Sequence, residues 1–176
     1  MEYYGQEALN LFVAEGNLRD RALRGAIKSK ILHFFDCMDK EDWEGVGRHL
    51  RSDARLFYKL CTPGDIHSGI ESILSQLMEG TISGQKTVQK LLLVDRGRVT
   101  CYVAQFWMQT VEDGEDPFSS ESRLVFVIDL DEQQQIRRIE IRDDENEDLV
   151  HEGDEFMMGR VVEAAEKDAM RLVDRI

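Results

Sequence analysis

The sequence has little proline, little cysteine and too few basic residues to balance its acids. Only 2 of its 176 residues are proline and 3 are cysteine. The cysteines are scattered and form no CxxC pair, so they predict neither a disulfide framework nor a zinc or redox motif. Thirty-five acidic residues against 22 basic ones give a formal net charge of −13. This charge disfavours nucleic acid and anionic membrane surfaces as partners.

Long apolar runs are missing as well. No stretch approaches the roughly 20 apolar residues that span a bilayer. The first residues also lack the basic and apolar regions of a signal peptide. We therefore expect no membrane partner and a cytoplasmic location. What the sequence does have is a hydrophobic fraction of 42%, which is enough for one packed domain.

The first half of the chain has the periodicity of helices. Apolar side chains recur at helical spacing over residues 24–39 and again over Ile70–Met78. Asp39 is suited to cap a second short helix, which we predict from Glu41 to Leu50. Asp53–Leu60 reads as a strand between the second and third of these helices. One more short helix is predicted within the first 25 residues.

The second half changes to the periodicity of strands, with a turn at Asp95–Gly97 and a final apolar-striped helix that ends at Ile176. The predicted strands are Lys86–Val94, Arg98–Thr110, Arg123–Leu130 and Gln135–Asp143. Helices that come early and strands that come late indicate an α+β fold rather than alternating βαβ units. A curved antiparallel sheet of this length needs a cover on its concave face, and the three preceding helices can supply it.

Four segments, taken in their order and spacing, carry a resemblance to a known superfamily. They are Phe34–Trp43, Ser52–Leu56, Ile66–Ile73 and Phe126–Asp143, which contain FFDCMDKEDW, SDARL, IHSGIESI and FVIDL…QIRRIEIRD. The chain resembles the nuclear transport factor 2-like superfamily, in its SnoaL-like group with polyketide cyclases, ketosteroid isomerase and scytalone dehydratase. The resemblance implies a cone-shaped α+β barrel over 26–146, flanked by an extension over 1–25 and by an acidic segment and helix over 147–176.

The catalytic patterns of these relatives do not carry over. Phe34 stands where the ketosteroid isomerase pattern has an oxyanion-binding tyrosine. Tyr58 stands at the position of its general base, and Phe126 at that of its protonated aspartate. Of the scytalone dehydratase groups only Asp39 remains, and a helix cap is the simpler explanation for that residue.

The resemblance implies a ligand at the open end of the cone, and strand alternation suggests which residues line it. Phe126, Ile139 and Ile141 face inward, and Phe34 and Met38 from the first helix complete a substrate-binding wall. An aromatic wall of this kind suits a hydrophobic, ring-containing ligand. The alternative is that the same side chains simply fill the core.

Three polar residues are candidates for proton transfer. Asp143 shares its strand face with Ile139 and Ile141 and stands where the cone opens. Tyr58 can donate one hydrogen bond to a ligand oxygen, and His67 lies near the mouth with an imidazole suited to proton transfer. The alternatives are a solvated acidic run, a buried tyrosine bonded to backbone and a surface histidine.

We expect no metal site and no cofactor. His151, Glu152, Asp154 and Glu155 have the density of a solvated charge run, without the fixed geometry that cations require. No glycine-rich phosphate loop or nucleophile elbow occurs in the sequence.

Two functions remain open. The first is a cofactor-independent isomerase, cyclase or dehydratase that acts on a small hydrophobic polyketide- or terpenoid-like compound. The second is a non-catalytic ligand-binding or scaffold protein that uses the same fold. In either case the resemblance implies a homodimer through the convex sheet face, where Arg138, Glu140 and Arg142 point outward.

Overall fold

The computed structural model describes residues 18–58, 66–112, 114–143 and 148–173. The helices are α1 (Leu18–Asp39), α2 (Trp43–His49), α3 (Ile70–Gly80) and α4 (Glu155–Val173). The strands are β1 (Leu50–Tyr58), β2 (Ile66–Ser68), β3 (Lys86–Asp95), β4 (Arg98–Met108), β5 (Phe118–Leu130), β6 (Ile136–Asp143) and β7 (Leu149–Glu152). The predicted helix within the first 25 residues lies in a part of the chain that is not described.

The strands form one curved, open sheet in the order β2-β1-β6-β5-β4-β3, and β7 pairs with β5. Strands β3 to β6 make an antiparallel meander. Strand β1 lies parallel to β6 and stands between β6 and the edge strand β2. The predicted α+β class and meander are confirmed.

The concave face of the sheet is covered by α1, α2 and α3. Helix α1 buries Ile27, Ile31, Phe34, Phe35 and Met38, which are spaced three or four residues apart as the sequence predicts. Full burial of a side chain of this size stabilises the fold by about 1.5–3 kcal/mol. These helices and the inward side chains of the sheet make up the main core.

The C-terminal helix covers the opposite face of the sheet. Met158, Ala165 and Ala169 of α4 pack on Ala104 and Phe106 of β4. The described part of the predicted apolar stripe, up to Ala169, therefore packs against this chain's own sheet. None of the helices in the described part of the chain is long and apolar enough to cross a bilayer.

Strand β5 begins five residues earlier than predicted, because a strand missed by the sequence analysis pairs with it. Phe118–Glu121 aligns with Leu149–Glu152 of β7, inside the segment that was predicted to be a solvated acidic run. His151 contacts the buried Glu121 carboxylate at 2.8 Å. Ladder hydrogen bonds and this pair hold a strand that its own composition does not favour.

Asp39 is not the cap of α2. That role belongs to Asp42, whose carboxylate accepts a 2.9 Å hydrogen bond from the Gly45 backbone N–H. The Asp39 carboxylate instead accepts from the backbone N–H and the hydroxyl of Thr87, both at 2.6 Å. Asp39 thus fastens the end of α1 to the start of β3.

Candidate functional site

A cavity of about 220 Å³ lies on the concave face, beyond the end of α1. Its wall comes from the ends of β1 and β6, from β4 and β5, and from the end of α3 with the loop that follows. The lining residues are Tyr58, Gly80, Ile82, Gln85, Gln105, Trp107, Ser122, Leu124, Ile141, Asp143 and Asp148. Because ligand pockets usually measure about 300–1,000 Å³, this one suits a small compound of about one ring.

The wall follows from strand register. Gln105 of β4 lies opposite Ser122 of β5, and Leu124 of β5 lies opposite Asp143 of β6. Directly opposed residues point to the same face of a sheet, and every second residue of a strand shares that face. Trp107, two residues after Gln105, therefore joins the same wall.

Tyr58 and Asp143 lie beside the same cavity. Tyr58 is the last residue of β1 and pairs with Ile141 of the parallel strand β6. Asp143 is two residues farther along β6 on the same face, a rise of roughly 7 Å. The Tyr58 hydroxyl lies 3.6 Å from where a Cβ on Gly80 would stand, while Asp143 is exposed at the rim.

The rest of the cavity wall is more polar than the sequence predicts. The side-chain amide of Gln85 in this wall is held by hydrogen bonds within the chain. Gln85 is buried, and its Oε1 accepts a 3.1 Å hydrogen bond from the Ile82 backbone N–H. Its Nε2 donates to Asp39 at 3.4 Å. Amides, hydroxyls and carboxylates around one small space provide both donors and acceptors for a ligand that carries oxygen atoms.

No family model and no curated relative matches the sequence, whereas solved structures match its backbone. SalBIII, an epoxide hydrolase/cyclase-like enzyme with a role in pyran ring formation in salinomycin, is 11% identical over 73% of this chain and 98% of its own, with a TM-score of 0.59. A ketosteroid isomerase-like protein of Kribbella flavida is 17% identical over 69% of this chain and 79% of its own, with a TM-score of 0.53.

A computationally designed binder of 17-OHP is 14% identical over 69% of this chain and 95% of its own, with a TM-score of 0.54. The fold is nuclear transport factor 2-like. The predicted resemblance is thus confirmed for the architecture. Identities this low carry no residue roles, so the chemistry of this chain has to be argued from its own cavity.

The structure corrects the predicted substrate-binding wall of this nuclear transport factor 2-like fold. Ile141 lines the cavity. Phe34, Met38, Phe126 and Ile139 do point inward, but they are at most 3% exposed and belong to the packed core. The Phe126 ring meets the edge of Phe35 at a centroid distance of 5.0 Å. The region that α1 covers is therefore filled.

His67 lies away from the cavity wall. It sits on β2 opposite Leu56, and its Nδ1 is 3.4 Å from the hydroxyl of Ser72. Ser72 is in the first turn of α3, whereas Gly80 of the cavity wall is its last residue. Ser72 and Gly80 are eight positions apart along the helix, a rise of about 12 Å. The structure thus brings Asp143 and Tyr58 together but not His67, and the roles of all three stay predictions.

Among the lining residues that the sequence analysis missed, Gln85, Gln105, Trp107 and Ser122 bring polar or aromatic side chains to the wall. A usable signal exists for three of them. Strand parity alone puts Gln105 and Trp107 on the face of Val103, and Ser122 on the face of Leu124. Gln85 lies just before the start of β3, so strand periodicity does not predict which way its side chain points.

Two ionisable groups of the core have large pKa shifts. Burial, together with the nearby His33 and Lys30, lowers the pKa of His49 to about 4. Burial raises the pKa of the Cys101 thiol to about 12. Both groups are therefore neutral at pH 7, as side chains packed among apolar neighbours should be.

Proposed function

We propose that this protein is a cofactor-independent enzyme that performs acid–base chemistry on a small, oxygen-bearing ring compound. The observation that carries the proposal is that Asp143 and Tyr58 flank one open cavity. The reaction belongs to the isomerase, cyclase or dehydratase class, in which one positioned proton donor or acceptor can lower the barrier without a cofactor.

Each polar group has a proposed role. Asp143, at the solvent-exposed rim, exchanges a proton with the ligand and with water. In a cyclisation or dehydration, its protonated form donates the proton to the departing oxygen, and the carboxylate that forms takes up the proton released by the attacking hydroxyl or by the neighbouring carbon. Tyr58 donates a hydrogen bond that orients a ligand oxygen. The Trp107 ring offers a flat apolar contact for a ring.

The size and polarity of the cavity narrow the ligand class. A volume of about 220 Å³ favours a single-ring compound over a multi-ring polyketide or a long terpenoid. The amides of Gln85 and Gln105 favour a ligand with carbonyl or hydroxyl groups. The fold agrees with this class of chemistry, because SalBIII and the ketosteroid isomerase-like protein have a similar architecture.

A non-catalytic ligand-binding protein is the second candidate. The designed 17-OHP binder has a similar backbone, and the known catalytic patterns are interrupted at Phe34 and Phe126. The two candidates differ in one measurable way, because an enzyme turns the ligand over and a binder returns it unchanged.

The test begins with the small molecule that copurifies with the protein, identified by mass spectrometry after denaturation. Compounds chemically related to this molecule are then assayed for turnover with the wild-type protein and with the Asp143→Asn and Asp148→Asn variants. Asp143→Asn keeps the shape and removes the acid, so turnover should fall about a hundredfold while KM changes little. Asp148→Asn, at the same rim, is the matched control and should retain turnover. Full turnover by Asp143→Asn, or no turnover by the wild type, would overturn the proposal.

We also propose that the protein is a homodimer that pairs through the outer face of β5 and β6. Glu140 on this face accepts hydrogen bonds from Arg138 and Arg142 of its own chain, each at 2.6 Å. These arginines are therefore already paired within the chain, and half-buried Val125 and Val127 supply the apolar part of the contact.

Light scattering at micromolar concentration should give twice the chain mass of 20.3 kDa. Val127→Asp puts a charge into the proposed contact and should give the single mass. A single mass for the wild type would refute the dimer.

A further inference from the structure

His33, Cys37 and His49 come together at the other end of the core. His33 and Cys37 are one turn apart on α1, and His49 is the last residue of α2. Each offers one ligand atom, and the three atoms lie within 4.8 Å of one another. His33 Nδ1 is 2.9 Å from His49 Nε2 and 3.7 Å from Cys37 Sγ.

Two of these three separations lie near those of atoms bound to one metal ion, and the shorter of them, between His33 and His49, is a hydrogen-bond distance that a shared ion would lengthen. Zinc bonds of about 2.0–2.3 Å in a tetrahedral arrangement put neighbouring nitrogen and sulfur ligands roughly 3.3–3.8 Å apart. The observed N–N and N–S distances fall within a few tenths of an ångström of that range. A bound ion would require the two ring nitrogens of His33 and His49 to move apart by about 0.4 Å.

Burial also suits a metal ion. His49 is only 8% exposed, so an ion bound at its Nε2 would be largely shielded from water. The other ring nitrogen, Nδ1, has no hydrogen-bond partner among the described residues and lies outside the proposed ligand set. Cys37 is also buried, whereas His33 is exposed and leaves a route from solvent.

We propose that His33, Cys37 and His49 form a Zn²⁺ site with three protein ligands and a fourth position for water. Imidazole and thiolate ligands favour zinc, while calcium and magnesium prefer oxygen. Zn²⁺ is also not redox-active, so the proposed site needs no electron donor or acceptor. The inference does not depend on the proposed enzymatic function.

The charges around the cluster are mixed. Lys30 lies near His49 and opposes a cation. Asp42 lies beside Cys37 and favours one, since a Cβ added to Gly45 would stand 2.3 Å from the Asp42 carboxylate and 2.8 Å from Cys37 Sγ. The same contacts show why residue 45 is glycine, because any side chain there would displace the thiol.

The proposed site is distinct from the cavity. His49 directly precedes β1, whereas Tyr58 ends it. The corresponding positions on β6 are Ile136 and Ile141, which are five residues or roughly 17 Å apart. Zinc here would clamp α1 to α2 rather than take part in the chemistry at Asp143.

The experiment uses untagged, full-length protein treated with a chelator and then titrated with Zn²⁺ or Co²⁺. Competition with a chromophoric chelator should give one Zn²⁺ per chain, and Zn²⁺ should raise the melting temperature. Co²⁺ should produce the thiolate-to-metal charge-transfer band of a tetrahedral site. Cys37→Ala should abolish this band.

His33→Ala is the decisive variant, because an exposed side chain can be removed without unfolding the core. Its Zn²⁺ affinity should fall at least about tenfold. His67→Asn, a histidine outside the cluster, is the matched control and should bind as the wild type does. Unchanged affinity in His33→Ala, no thiolate band with Co²⁺, or binding of Cu⁺ without binding of Zn²⁺ would overturn the zinc assignment.

Discussion

The two ends of strand β1 lie in opposite environments. At its start, Leu50 is 4% exposed and follows the buried His49, in the part of the sheet that α1 covers. At its end, half-buried Tyr58 faces an open cavity with amides, hydroxyls and carboxylates around it. The dividing point is Asp39, where α1 stops and binds Thr87.

The difference teaches that strand parity decides the face of a residue but not its environment. Phe126 and Leu124 are two residues apart on the same face of β5. The first is packed under α1, and the second lines the cavity beyond it. Whether an inward side chain becomes core or wall depends on how far the covering helix extends.

The largest expected effect is on stability, and it tests the contrast between the packed core and the cavity wall. Phe126→Ala should lower the free energy of unfolding by about 3–5 kcal/mol, because it empties a packed position against Phe35. Leu124→Ala should cost about 1 kcal/mol, since its site is already open to solvent. Urea denaturation of both variants measures the difference. Equal losses would mean that the two positions are equally packed.

A smaller effect is expected on turnover, and it tests whether the cavity is the functional site. Tyr58→Phe removes one neutral hydrogen bond from the cavity and should reduce turnover about tenfold. Tyr102→Phe is the matched control on β4, where the tyrosine is exposed, and its turnover should be unchanged. Steady-state kinetics with the identified substrate distinguishes the two. An equal decrease in both variants would remove Tyr58 from the proposed mechanism.

Much of the fold could be predicted from the sequence, because helices and strands have strong periodicities here. The apolar spacing in α1 and the alternation in β4 to β6 suffice for the α+β class and for the inward face. The parallel pairing of β1 with β6 could not be predicted, since it joins segments far apart in the chain. Strand β7 was hidden because its residues gain their pairing only from β5.

The candidate site was predicted less completely than the fold. The alternation of side chains along the strand put Asp143 and Ile141 on the inward face. The sequence does not show how deep each position lies along the cone. Phe34 and Phe126 were therefore assigned to a wall when they are core. The proposed metal-ligand cluster was missed because His49 comes from another helix than His33 and Cys37, so no local spacing motif joins all three.

The central claim is that the cavity at the Tyr58 end is where a small molecule binds. The most direct measurement compares binding of the copurified compound to wild-type protein, Ser122→Trp and Arg123→Trp by ligand-observed NMR. Ser122→Trp fills the cavity from its wall, whereas Arg123→Trp places the same bulk one residue away on the outer face. We predict that binding is lost in Ser122→Trp and kept in Arg123→Trp. Undiminished binding by a folded Ser122→Trp variant would contradict the account.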